Sequence, residues 1–407
     1  MVEGVGRGEI LLRQMPWIAK ASLKSGQVMM FEPTREAGLA RLHAFSVDGA
    51  ANYGRLRNFD LGSKRPSTVS QLSPWIRHRL VTEQEVLAQI LKAHDSAQTV
   101  NFVQEVFWRG YFKGWLEQHP SVWDRYLDGL CHAQESIGTD YADASAGRTG
   151  IDCFDHWCAE LVTTGYLHNH ARMWFASIWI FTLRLPWELG ADFFLTHLID
   201  GDPASNTLSW RWVGGLHTKG KTYLATADNI ARFTDGQFYL AGQLATVAES
   251  LVEPFDHPLV PRTMSPQRSS DDALLLVTQE DCTPQTFIAG EPRCVLGLVI
   301  PRPTRLAFSF SHGAVQQAGD VVTSNDWTAE IAKAARRVSA SDVVTAWAPV
   351  GPVATALATA ETELAKEGIT LHRVRRTYDD LTWPHATAGF FKLKKKIPQI
   401  LRDLELG

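Results

Sequence analysis

Two carboxylates one residue apart, Asp200 and Asp202, precede a proline, an asparagine and two indoles in the stretch "DGDPASNTLSWRW". Read alone, spaced acids suggest general acid–base work, and indoles suggest packing or stacking. Comparable mixtures lie upstream. In "FVQEVFWRGYF" (102–112), Glu105 and Trp108 stand three apart, so a carboxylate and an indole share one helix face. Such a pair either reads a base edge and stacks on its plane in a pocket, or is a surface acid beside a core tryptophan. "HNHARM" (168–173) sets His168 and Arg172 one helical turn apart, and Asn169 and Met173 likewise. His168 and His170 point in different directions on a helix and make poor joint metal ligands. "PSTVSQLSPW" (66–75) clusters hydroxyls with proline ahead of a helix. It is either a capped turn or a turn whose free N–H groups hold an anion such as a pyrophosphate.

The 407 residues, 45% hydrophobic, suffice for two ordinary domains. A formal charge of −4 excludes a broadly electropositive surface, so any nucleic-acid site must be local. Cys131, Cys153, Cys158, Cys282 and Cys294 show neither a CxxC pair nor zinc spacing, and read as buried thiols. No apolar run approaches the roughly 20 residues that span a bilayer, and the N-terminus lacks secretory-signal character. The expected location is cytoplasmic, with no membrane partner, and the expected state a monomer. Most of the 14 tryptophans precede residue 213, which concentrates polarizable side chains in one region.

Residues 1–30 read as a lead-in and 31–245 as helical. Within the latter, "TEQEVLAQILKAH" carries Val86, Leu87, Ile90 and Leu91 at helical spacing behind a Thr82/Glu85 capping box. A Pro-, Ser- and charge-rich stretch over 246–270 reads as a linker. Short apolar runs follow at 273–277, 294–300, 320–324, 342–347 and 369–374, with helical stretches between several of them. This alternation predicts a doubly wound, Rossmann-like parallel sheet over 271–391, before a basic segment at 392–407. Neither GxGxxG nor GxxxxGK[ST] is present.

Taken together, five ordered motifs resemble the photolyase/cryptochrome flavoproteins over roughly 31–245: "NYGRLRNFDLG", "STVSQLSPW", "NFVQEVFWRGYF", "RTGIDCFDHWCAELVTTGYLHNHARM", and "LPWELG" with "LIDGDPASNTLSWRW". The resemblance implies an all-helical domain holding bent FAD. Its cofactor contacts carry over to Tyr53, Ser70, Leu72 and Ser73 around the phosphates, and to Arg109, Asn169 and Arg172 near the flavin. Asp200, Asp202 and Asn206 complete the set, with Asn206 at the flavin N5 edge. The α/β region resembles the family's antenna-type domain but follows the helical domain instead of preceding it, which implies a permuted relative. A folate or deazaflavin antenna is left undefined.

For cyclobutane-dimer photolyases the resemblance implies Glu105, Asn169 and Met173 as dimer-facing residues. Trp108 and Trp212 would be stacking walls, and Arg57 a further substrate contact. (6-4) repair enzymes carry histidine where Asn169 and Met173 stand. Trp210 and Trp187 take the flavin-proximal and middle places of the electron-hopping chain, and no tryptophan occupies the usual distal place. His170 replaces the usual arginine. Thr182 replaces an aspartate, which leaves Arg172 without its expected partner. The implied function is light-driven repair of damaged DNA, or, in the alternative, a cryptochrome-like photoreceptor acting on a signalling partner.

Overall fold

A computed structural model describes residues 30–62, 65, 67–262 and 267–406. All but one residue of the expected lead-in, and residues 263–266 of the expected linker, lie outside the described residues. The helices α1 (Arg35–Asp48), α2 (Tyr53–Leu56), α3 (Ser73–Arg77), α4 (Glu83–Ala93) and α5 (Ser96–Gln118) come first. Then follow α6 (Ser121–Glu135), α7 (Thr139–Ser145), α8 (Asp152–Thr164), α9 (Asn169–Ser177), α10 (Trp187–His197), α11 (Pro203–Val213) and α12 (Ala227–Phe233). The capping box forms as the sequence implies. Thr82 accepts from the Glu85 N–H at 3.3 Å, and the Glu85 carboxylate accepts from the Thr82 N–H at 2.9 Å. Each satisfies an N–H that the first turn of α4 would otherwise leave free.

The five apolar runs become β1 (Leu274–Thr278), β2 (Cys294–Val299), β3 (Val321–Thr323), β4 (Asp342–Ala346) and β5 (Thr370–Val374). They make one parallel sheet in the order β3-β2-β1-β4-β5, with Leu275 paired to Val295 on one side and Val344 on the other. The chain therefore winds outward from β1 in both directions, the doubly wound arrangement. The connecting helices α13 (Arg305–Gln316), α14 (Trp327–Arg337) and α15 (Pro352–Lys366) cover the sheet. Every β1 residue is buried, as expected of a central parallel strand.

Helices and sheet share a core. Phe45, Trp75 and Phe107 of the helical part cluster with Val277, Val299 and Phe310 of the sheet part. Ile397 and Ile400 join that cluster from α18 (Ile397–Asp403), which follows α16 (Thr377–Thr382) and α17 (Phe391–Lys394). The basic C-terminal segment is thus a packed element, because its apolar residues fall on one face. The described residues between Phe233 and Leu274 are irregular but pinned. Arg211 makes a bidentate pair with Glu253 at 2.6 and 2.8 Å, and the Val260 N–H donates to the Gln118 carbonyl at 2.7 Å. One expectation is corrected: Cys131 is exposed and Cys294 half-buried, so only Cys153, Cys158 and Cys282 are buried thiols. Cys131 follows the core residue Leu130 on α6 and falls on the helix's wet side.

A buried ionic clamp crosses the shared core. Arg77 grips Glu280 through two hydrogen bonds of 2.6 Å. Arg376 grips Asp281 at 2.6 and 2.8 Å, while Arg79 reaches Asp379 at 2.7 Å and Glu83 at 3.5 Å. Backbone groups join in, with the Cys282 N–H donating to the His78 carbonyl and Thr283 Oγ1 to the Arg79 carbonyl. Arg79 sits at φ 51°, a left-handed conformation that costs a non-glycine residue energy and is held here by these contacts. Removing one partner of a buried pair leaves an uncompensated charge, so Arg79→Met should lower unfolding free energy by roughly 3–5 kcal/mol. Urea denaturation measures this, and a loss below about 1 kcal/mol, the range of an exposed pair, would show the clamp to be dispensable.

Candidate functional site

Three helices present the chemistry. α5 carries Glu105, Trp108 and Arg109; α9 carries Asn169, Arg172 and Met173; α11 carries Asn206, Trp210 and Trp212, with Asp202 at its N-cap. Asp202 Oδ1 accepts from the Ser205 N–H at 2.9 Å, the usual use of an aspartate at a helix start. Its Oδ2 faces Arg109 and Lys113, each at 3.3 Å, and Arg77 at 3.8 Å. Burial alone would raise this carboxyl's pKa, but Lys113, Arg109 and Arg77 together hold it far below the ordinary range. Asp202 is therefore a fixed anion that holds Arg109 in place. Lys113 and Glu83 escaped sequence reasoning because a buried lysine or glutamate on an amphipathic helix looks like solvent-facing charge.

Asp200 answers the question raised by Thr182. Arg172 Nη2 donates to Asp200 Oδ2 at 2.9 Å and Nε to the Leu167 carbonyl at 3.0 Å, so the arginine has a carboxylate partner after all. Thr182 accepts instead from the Ala245 N–H at 3.1 Å. The other oxygen, Asp200 Oδ1, is buried with no partner among the described residues. Asn206 is buried and donates Nδ2 to the Ala191 carbonyl at 2.8 Å, which leaves its carbonyl as the group it can present. In the turn before α3, Arg41 caps the Ser70 and Val69 carbonyls at 2.6 and 3.2 Å. Gln71 takes φ 56°, and Ser70 and Ser73 are half-buried. Leu72 is fully buried, so only its backbone can meet a ligand. Tyr53 packs edge-on against Phe102, with ring centroids 5.1 Å apart.

A second group of residues sits on the accessible side. Arg57 Nη1 donates to the Glu105 carboxylate. Asn169 is exposed, Met173 is half-buried, and Trp212 is 36% exposed with its ring stacked on Tyr223 at 5.7 Å. His170 ties this side together. It meets the Asn58 carbonyl at 2.9 Å and the Tyr223 hydroxyl at 3.0 Å, and stacks on Trp174 at 4.0 Å. Burial lowers its pKa, so it acts as a neutral strut rather than a substitute cation for the arginine it replaces. Trp108 is half-buried, and one of its faces stacks on Phe390 at 3.9 Å with the planes 13° apart. Phe390 precedes α17 by one residue, a brace that no local sequence signal connects to Trp108.

Among the indoles, Trp210 contacts Trp179 at 6.2 Å and Phe194 at 5.1 Å. Trp187 contacts Tyr126 at 5.6 Å, and Tyr126 contacts Trp123 at 5.1 Å. Trp179 lies on a π-helical turn, Ile178–Thr182, that prolongs α9. There the Leu183 N–H donates to the Ile178 carbonyl, five residues back, at 2.9 Å.

Fixed cations at Arg109 and Arg172, serine hydroxyls at the α3 turn and an unpartnered buried acceptor at Asp200 suit a cofactor with phosphates and a ring N–H. FAD has both, and the donor set fits it. These features define a flavin-binding helical domain. Residues 102–236 match the family model described as the FAD binding domain of DNA photolyase. The deoxyribodipyrimidine photo-lyase of Escherichia coli (strain K12) is 29% identical over 202 residues, which cover 47% of this chain and 42% of that protein. The cryptochrome DASH, chloroplastic/mitochondrial, of Oryza sativa subsp. japonica is 28% identical over 205 residues, covering 47% and 34%. A Synechocystis sp. PCC6803 cryptochrome structure aligns at 22% identity over 53% of this chain and 46% of its own, with a TM-score of 0.43. Over its helical part the chain is thus similar to photolyases and cryptochromes, with residues 102–236 matching their FAD-binding domain. It spans less than half the length of the photo-lyase and cryptochrome DASH it matches.

Asp200→Ala strips Arg172 of its partner and removes the free acceptor. FAD affinity, measured by equilibrium dialysis of the purified chain, should fall at least about tenfold, the equivalent of 1.4 kcal/mol. Unchanged affinity would remove Asp200 from the cofactor site.

Proposed function

We propose that the protein uses FAD and blue light to repair cyclobutane pyrimidine dimers in DNA. What supports the reading is the partial exposure of Glu105, Asn169, Met173 and Trp212 on α5, α9 and α11, together with the Asp202–Arg109 and Arg172–Asp200 pairs on the same helices and their N-terminal loop. Bound FAD supplies the one-electron chemistry. The chain's own residues do the rest. Tyr53, Ser70, Ser73 and the Leu72 backbone would hold the phosphate end, and Arg109 would stand near the flavin. Arg172, Asp200 and Asn206 orient the ring through charge and hydrogen bonds set before binding, so little reorganisation is required. Trp212, together with the face of Trp108 that Phe390 leaves free, stacks on bases withdrawn from the duplex. Glu105 and Asn169 hydrogen-bond their edges, and Met173 fills the apolar gap. Trp210 would pass electrons toward the flavin, whereas Trp187, expected in the middle place, packs on Tyr126.

The order of domains follows from circular permutation, since the packing of α17 and α18 against α5 and its neighbours ties the end of the sheet domain to the helical domain. A second reading, a light-sensing protein that signals to a partner without repair, draws on one observation: Arg57 occupies the Glu105 carboxylate. The two readings separate in one assay. Reduced, FAD-loaded protein under blue light should lower the dimer content of irradiated DNA, and Glu105→Gln should slow this by about 10²- to 10⁴-fold if the carboxylate assists proton or charge placement. Undiminished dimers at saturating light would leave the signalling reading.

A further inference from the structure

We propose that Tyr141 is the terminal electron donor of this chain, reached from the flavin side through Trp210 and Trp179. The inference rests on the flavin reading above and supplies the distal member that the sequence lacks. Ring contacts run without a break from Trp210 to Trp179 at 6.2 Å and from Trp179 to Tyr141 at 6.0 Å. Two features make the first approach possible. The π-helical turn re-aims Trp179, and Gly190 of α10 has no side chain, whereas a Cβ there would strike both Trp210 and Trp179.

Proton placement decides where the hole stops. The Trp210 indole N–H is buried with no partner among the described residues, and that of Trp179 donates to the Pro186 carbonyl at 2.9 Å. Neither has a base that can take its proton, so an oxidised indole at either place keeps its charge and passes the hole on. Tyr141 is different. It is half-buried, so water can take the phenolic proton when the ring is oxidised.

The step balances. Photoexcited oxidised flavin, the oxidant, gains one electron; Trp210 refills from Trp179, and Trp179 from Tyr141. The Tyr141 O–H bond breaks, its proton passes to water at the half-buried ring, and a neutral phenoxyl radical remains.

The test uses the full FAD-loaded chain under flash excitation, with transient absorption and electron paramagnetic resonance as readouts. A parallel arm oxidises the FAD-free chain with a photogenerated ruthenium(III) polypyridyl complex. A long-lived tyrosyl radical should appear in the wild type, vanish in Tyr141→Phe, and persist in Trp187→Phe. Trp179→Phe should abolish its flavin-driven formation. A tyrosyl signal that survives Tyr141→Phe, or one that requires Trp187, overturns the proposal. A chain that takes up no FAD defeats the flavin reading alone. The ruthenium arm still reads Tyr141 in that event, and failure to oxidise Tyr141 there counts against the relay.

Discussion

The structure depends on a set of charges placed where water cannot reach them. Arg77, Arg79 and Arg376 meet Glu280, Asp281 and Asp379 between the helical domain and the sheet, and Glu83 and Asp202 extend the set toward α5 and α11. Bringing such groups out of water is costly, and the cost is offset only where each charge finds partners of good geometry. That condition fixes the relative position of two folding units more stringently than apolar contact does. An apolar surface can slide by an ångström, whereas a bidentate arginine–carboxylate pair cannot.

The clamp ends at the candidate site. Arg77, whose Nε donates to the Gly201 carbonyl at 2.9 Å, touches the loop that carries both Asp200 and Asp202. The same arginine therefore binds the sheet domain and steadies the acids at the start of α11. Lys113 and Arg109, one turn apart on α5, complete the link by sharing Asp202. A site assembled in this way holds its cations before any ligand arrives.

Much of this was legible from local signals. The Thr82/Glu85 box, the five strands and the Asp202–Pro203 helix start each need only a few neighbouring residues to declare themselves. The ordered motifs gave the resemblance to photolyases and cryptochromes, to which residues 102–236 are indeed similar. What could not be read is what depends on pairing across the chain. Arg77 and Glu280 are 203 residues apart, and in isolation each looks like an ordinary surface charge. Thr182 suggested an orphaned Arg172 because the partner was sought at the usual spacing, whereas the carboxylate came from Asp200, 28 residues on. The contact of Trp179 with Trp210 could not be read, because it needs a π-turn and a bare glycine on a neighbouring helix. The sequence spacing of the indoles encodes neither.

The central claim is that the buried clamp makes helices and sheet one cooperative unit. Hydrogen exchange of the full chain across a urea series, resolved by peptide, tests it most directly. Peptides from β1 and from α5 should lose protection together, at one urea concentration and with one slope. Loss of β1 protection while α5 stays protected, or the reverse, would contradict the account.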